Sequence, residues 1–483
     1  MDYSLRESLA AGRSVVVPAP KDAQSVSVLQ DCFMHAGVLS EPEDFFIGES
    51  PLVAGAKIFP FDGKIYAVGY RFTAGTIQIM NINAEGVTFG HTNLLSNLQN
   101  PATDGEMSFA RFEKGVLITW SKTCDMWWLS ATTNLSANPV VPPEYLGQVA
   151  SYVGNFRERL VLGGIHSTLV TTFSSALKAD FMAPYVEGDE NEEAPIPAAW
   201  ALLENPSRTI MWGGWLEDLL GCLLEPSSHD LHNLVKSTDW GWQKVPHIVT
   251  GLHCLYNSIV VTSARGVWRM TPLTELPSFA LAQITNFGVL CSGSNASTVA
   301  FMALDGRTYL LYDDGKLEQL SDRDDTEYGN DVILTEQTGE LWWCGDDGTL
   351  VRARGNWYTR SNIVHAYGYR YGGDVILGIT VSPTPKFVTE VLSLGTTQMK
   401  NIRSVRISGT GVTGVRMHFT QDNRGLWGRT SVQTPDQLGV CVFNVSCQEF
   451  KLEFSGSNLL VTDIVLDYDI TPKANFGRAS RRI

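Results

Sequence analysis

Apolar and polar positions alternate along most of this chain with the two-residue period of strands, and tight turns interrupt the alternation at short intervals. In the stretch IFPFDGKIYAVGY the residues on either side of Asp62-Gly63 read as strand, turn, strand. The Asp-Gly pair supplies the positive-φ residues that a two-residue hairpin demands. The same phrase returns at Asp305-Gly306, Asp314-Gly315 and Asp347-Gly348. Ile65, Ala67 and Gly69 fall on one face of their strand, and Tyr66, Val68 and Tyr70 on the other. Both faces are largely apolar, which predicts sheets covered on both sides by neighbouring sheets.

Such hairpin units are read at 53–90, 105–131, 149–176, 250–272, 298–321 and 332–354. Their spacing approaches the period of ~40–50 residues of four-stranded propeller blades. The fold class expected is all-β, with a β-propeller-like hairpin repeat array over 45–372 followed by a C-terminal β-sandwich over 375–470. Six or seven blades fit, and a set of stacked sandwiches is the competing architecture, since no Trp-Asp or kelch signature recurs. The boundary is placed at Tyr371-Gly372-Gly373 because the alternation beyond it is longer and has one dry face: Val405 and Ile407, then Val415, Met417 and Phe419, then Phe450, Leu452 and Phe454, then Ile464, Leu466, Tyr468 and Ile470. Residues 1–44 carry no hairpin signal and are expected to be an extended N-terminal arm. Residues 471–483, with Lys473, Arg478, Arg481 and Arg482, form a basic C-terminal tail.

Composition narrows the function. With 483 residues, 44% of them hydrophobic and only 18% charged, the chain has ample core for more than one domain. A net charge of −15 argues against a general nucleic-acid binder, whose affinity comes from cations that neutralise phosphates. It is compatible with double-stranded DNA sliding past an uncharged or acidic wall. No stretch reaches the ~18 apolar residues of a membrane span, and the opening MDYSLR lacks the basic-then-apolar order of a secretory signal. Cys32, Cys124, Cys222, Cys254, Cys291, Cys344, Cys441 and Cys447 have no Cys-x-x-Cys spacing and read as reduced apolar residues.

No catalytic, cofactor-binding or metal-binding residue is assigned. His229 and His232 would share a helix face, but no third ligand follows them. Asp322-Arg323-Asp324-Asp325, and the five carboxylates Glu187, Asp189, Glu190, Glu192 and Glu193, lack the alternating ligands and central glycine of a calcium loop and read as solvated loops. There is no nucleophile elbow and no phosphate loop. Paired carboxylates of the glycosidase kind leave no spacing in a sequence, so a propeller enzyme acting on polysaccharide stays in view. Trp127-Trp128 and Trp342-Trp343 are candidates for an exposed aromatic platform, with core packing the competing reading. Ser237-Thr238-Asp239-Trp240-Gly241-Trp242 and the stretch TQDNRGLW at 420–427 are similar to the Asp-box turns of sialidase-like propellers; there the Asp caps backbone N–H groups and the Trp packs beneath, which are structural roles.

Three further phrases carry a resemblance: RLVLGG at 159–164 with Phe173-Ser174; SIVVT at 258–262 with GVWRM at 266–270; and DGRTY at 305–309. Together with FTQDNRGLWG and FKLEFSGSNLLVTDIVLDYDI near the C-terminus, they resemble the hub or nozzle proteins of bacteriophage tails of the podovirus type. The resemblance implies a virion structural protein, not an enzyme, that forms a homo-oligomeric ring, a hexamer being the expected size. Such a ring sits below the portal and adaptor, meets other tail proteins, and forms part of the DNA exit channel without reading sequence. It would be made and folded in the host cytoplasm and reside in the virion tail. Its lumen is then expected to be neutral or acidic, with carboxylates from 187–193 and 322–327, and with basic residues turned outward or into subunit contacts. A carbohydrate- or receptor-binding module is the alternative to both the tail protein and the enzyme.

Overall fold

The computed structural model describes most of residues 13–470. The larger stretches outside the described residues are 1–12, 19–25, 41–46, 96–104, 131–137, 140–149, 166–208, 214–239 and 471–483, with several shorter ones. Strands account for nearly all regular structure among the described residues, with short 3-10 turns such as Phe72–Ala74 and Thr326–Tyr328. No helix among them is long and apolar enough to cross a membrane. The chain forms two compact units. One comprises 45–347 and 363–380; the other comprises 1–44, 348–362 and 381–483.

The first unit is a β-propeller. Five four-stranded antiparallel sheets follow one another, opened by Lys57–Phe61, Met107–Arg111, Ala150–Phe156, Val249–Cys254 and Val289–Ser294. A sixth begins with the hairpin of Asp331–Leu334 and Leu341–Cys344, and a seventh pairs Ile363–Arg370 with Gly373–Ile379. The opening strands of the first six sheets contact one another in sequence, and Ile363–Arg370 lies against Lys57–Phe61, which closes the ring. Closure has a second component. Ile47–Glu49, upstream of the first sheet, joins the seventh as a parallel strand beside Gly373–Ile379. Ile58, Ala67 and Met80 of the first sheet then share one buried cluster with Ala366, Val375 and Leu377 of the seventh.

Local chemistry explains these sheets. Phe61 pairs with Lys64 across Asp62 and Gly63, whose φ values of 49° and 70° are the two left-handed positions of a type I′ hairpin. Both faces of the strands are dry, as the sequence pattern requires. Tyr66, Val68, Ile77 and Ile79 meet Ile118, Trp120 and Trp127 of the second sheet, while Ala67 and Met80 face the seventh.

Near the axis the opening strands approach so closely that small residues are needed. A Cβ on Gly293 would stand 1.9 Å from the Val332 carbonyl oxygen of the sixth sheet. Gly293→Ala is therefore expected to force the fifth and sixth sheets apart and to lower stability by about 1–3 kcal/mol. Gly154→Ala would meet the Cys254 Sγ at 2.5 Å, a side chain that can turn aside, so its loss should be smaller. Urea unfolding midpoints of the two variants test that order, and equal midpoints would refute it.

The second unit is built on two very long strands, Lys400–Thr420 and Glu449–Ile470, paired antiparallel from Lys400↔Ile470 to Thr420↔Glu449. Register shifts around Gly409 and Gly414 bend this ribbon. Val405, Val415, Met417, Phe450, Leu452, Phe454, Ile464, Leu466 and Tyr468 are all buried, on the dry face that the alternation marks out.

Two boundary expectations need correction. The Tyr371-Gly372-Gly373 stretch is not a domain boundary, because Arg370 pairs with Gly373 and the strands on its two sides belong to the same sheet and the same unit. Residues 348–362 belong instead to the second unit. The first 44 residues are not a free arm either. Arg13–Pro18 pairs with Asp463–Tyr468, Val26–Gln30 pairs with Lys386–Thr389, and Val38–Ser40 pairs with Leu460 and Val461. Asp31, buried at φ 47°, fixes this arrangement: its carboxylate accepts hydrogen bonds from the Ser361 N–H and hydroxyl at 2.8 and 2.5 Å and from the Thr384 N–H at 3.0 Å. Pairing over such sequence distances leaves no local turn signal to read. The basic tail at 471–483 lies outside the described residues.

Candidate functional site

A propeller concentrates its unusual chemistry where the opening strands converge, and four charged or titratable side chains meet there. Lys57 opens the first sheet, Glu106 directly precedes the opening strand of the second, and Asp331 begins that of the sixth. The Lys57 ammonium donates to Glu106 Oε1 at 2.8 Å and to Asp331 Oδ2 at 3.4 Å. The first and sixth sheets are separated in the ring by the seventh, so this side chain reaches past one blade. Lys57 and Glu106 keep 23% and 34% of their side-chain surface open, and Asp331 only 8%. Water touches the group, yet protein surrounds it closely enough for burial to be the largest influence on each of the first two. Burial disfavours the Lys57 ammonium, but Asp331 and Glu106 outweigh it and hold the group well above the usual lysine range. Burial, with the nearby Asp331 charge, raises Glu106 despite the opposing pull of Lys57.

His253, in the opening strand of the fourth sheet, is buried by the fifth. Its Nε2 lies 2.9 Å from the Ser292 hydroxyl and its Nδ1 3.0 Å from that of Ser294, while Thr262 Oγ1 is 3.3 Å from Ser292. A neutral imidazole satisfies both serines, donating with one nitrogen and accepting with the other. Burial, aided by the positive field of Lys57, pushes His253 down to about 3. Cys291 lies within reach of the same charges, and burial raises its thiol well above the usual range.

This arrangement suits a lock better than a reaction centre. So weak an imidazole base gains little as a general base near neutrality, and its second nitrogen meets a serine where a catalytic histidine would meet an orienting carboxylate. The charges of Lys57, Glu106 and Asp331 are spent on one another. Other interblade bonds follow the same plan. The Ser108 hydroxyl donates to the Val153 carbonyl and accepts from the Val153 N–H, both at 3.1 Å, and Thr119 donates to the Ser151 carbonyl.

The residues singled out by sequence are placed differently. Trp127, Trp128, Trp342 and Trp343 are buried core side chains, which removes them as a platform. Asp322 and Asp324 are exposed, and no grouping of three or more metal-ligating side chains exists among the described residues. His229, His232 and the 187–193 run lie outside the described residues, as do Cys124 and Cys222. Cys254, Cys291 and Cys344 are thiols outside any disulfide, as are Cys32, Cys441 and Cys447. Of the Asp-box-like stretches, Trp240–Lys244 is a strand of the third sheet, and Trp427 is exposed with the Lys451 ammonium 5.7 Å from its ring centre. The axial group carries no motif. Its one sequence signal is a lone charge at the head of an apolar strand, as in AKIFPF and NDVIL.

No family model matches the chain, and no curated protein does. Among solved structures it is similar to YCF48 bound to D1 peptide, at 12% identity and a TM-score of 0.39, covering 70% of this chain and 94% of that one. It is also similar to a chain of the mitotic checkpoint complex, at 9% identity and a TM-score of 0.37, covering 68% of this chain and 87% of that one. At such scores the propeller is established by its own sheets and their order.

Proposed function

We propose that this chain is a structural protein of a bacteriophage tail, a propeller-bearing hub or nozzle subunit whose copies form a ring around the DNA exit path. The observation that carries the structural part of this reading is the Lys57–Glu106–Asp331 group, in which one ammonium bridges two carboxylates and ties three blades together. The tail assignment itself is supported by the phrases at 159–164, 258–270 and 305–309 and by the acidic net charge, which suits a wall that DNA slides past. Mass measurement in solution with imaging of the particles tests the proposal. Closed rings are the expected result, and a monodisperse monomer that hydrolyses bacterial polysaccharide would replace it with the enzyme reading.

A further inference from the structure

At one end of its ribbon the second unit carries a cluster of cations, although the chain as a whole is acidic. Three cationic-type side chains stand directly opposite one another across three strands, since His418 pairs with Arg429 on one side and with Lys451 on the other. In the next row Arg416 stands opposite Glu453, and Lys386 follows one row beyond, opposite Ser455. Glu453 serves three neighbours: it takes a 2.7 Å hydrogen bond from His418 and lies 3.5 Å from Lys386 and 3.7 Å from Arg416. Burial alone would raise this carboxyl, but the His418 hydrogen bond and the two cations hold it below the usual range. Among the described residues Glu449, opposite Thr420, is the second carboxylate of these rows, against the four cations Lys386, Arg416, Arg429 and Lys451. Arg429 and Lys451 flank the His418 position on its two sides, so among the described residues this face carries a surplus of cations for an anion that arrives from outside.

A matching anionic surface exists on the propeller. Asp322, Asp324 and Glu327 are exposed on one turn, Asp346 and Asp347 on another. The two turns abut, for a Cβ on Gly345 would lie 2.2 Å from the Glu327 carbonyl. The Tyr328 phenol beside them is pushed up to about 12 by burial and by the fields of Glu327, Asp325 and Asp347. Arg323 is the cation within the first turn. Arg429 is exposed, and Lys386, Arg416 and His418 keep 38%, 29% and 27% of their side-chain surface open.

We infer that the basic sheet face of one copy receives the acidic propeller knob of a second copy, head to tail. The two surfaces differ, so the contact is heterologous, the kind that closes into rings when the rotation allows. The inference rests on the ring reading for its setting, and it moves the carboxylates at 322–327 from the lumen to the subunit contact.

Charge reversal on the full-length chain tests it. Arg429→Glu with Lys451→Glu, or Asp324→Lys with Glu327→Lys, should each reduce the sedimenting mass to that of the monomer, with the far-ultraviolet spectrum unchanged as the folding control. An equimolar mixture of the two variants should assemble again, because each then offers the surface that the other lacks. Raising salt from about 50 to about 500 mM should also dissociate the wild-type oligomer. Rings that survive both reversals would overturn this contact and leave the ring reading standing. Charge-dependent open chains without rings would do the reverse. A wild-type monomer at every salt concentration would overturn both. A monomer that binds duplex DNA, and loses it on Lys451→Glu, would assign the face to phosphate instead.

Discussion

Replacing Lys57 with methionine is expected to lower the free energy of unfolding by about 3 kcal/mol at neutral pH, the lower end of the range for breaking a buried ion pair, because Glu106 remains partly open to water. The methionine fills much the same volume but leaves Glu106 and Asp331 near one another with no positive charge between them. Glu106 already sits above the usual carboxylate range through burial, and removal of the ammonium raises it further. A carboxyl whose folded value exceeds its unfolded one gains stability as pH falls through the folded value. The variant should therefore recover part of its loss on acidification toward pH 5, and Lys57→Met combined with Glu106→Gln should recover part of it at pH 7. Denaturant titrations followed by tryptophan emission measure both. Wild-type stability in the single variant, or no recovery in the double one, would show that the axial group does not hold the blades.

The hairpins of the propeller were legible because their information is local. Asp62-Gly63 fixes a turn within four residues, and the dry faces around it state that other sheets lie on both sides. The long ribbon of the second unit was legible for the same reason: Val415, Met417, Phe450, Leu452 and Phe454 alternate over enough residues to declare a face. The partners of the first 44 residues were not, since Val15 pairs with Leu466 and Val26 with Thr389, with most of the chain between them. The Gly372-Gly373 stretch is ambiguous by nature, because two glycines serve a linker and a tight turn equally well. The axial group was the least visible. Lys57, Glu106, His253 and Asp331 come from four different sheets, and only closure of the ring gives them a common address. Read singly, each is a charge or imidazole beside an apolar strand.

His253 is the residue through which acid should weaken the propeller. Its folded value near 3 lies below the ordinary 6.5, so the folded state binds fewer protons than the unfolded chain between those limits. The stability it contributes is complete above about pH 6.5 and is lost as pH falls toward 3, at about 1.4 kcal/mol per pH unit over the middle of that range. The cause is geometric as well as electrostatic. A protonated ring has two donors and no acceptor, and it feels the positive field of Lys57 in a buried seam between the fourth and fifth sheets. His365, also depressed by burial, titrates in the same direction but keeps the Leu52 carbonyl as a partner at 2.7 Å. His253→Gln can donate to one serine and accept from the other without titrating. Unfolding free energies of wild type and variant, compared from pH 7 to pH 4, should diverge in slope by close to one proton, while His365→Gln changes the slope less. Hydrogen exchange at pH 4.5 should show the wild type opening first along Val249–Cys254 and Val289–Ser294. Parallel pH profiles for wild type and His253→Gln would mean that the ring takes up its proton as readily in the folded chain as in the unfolded one, and the lock described here would have to be redrawn.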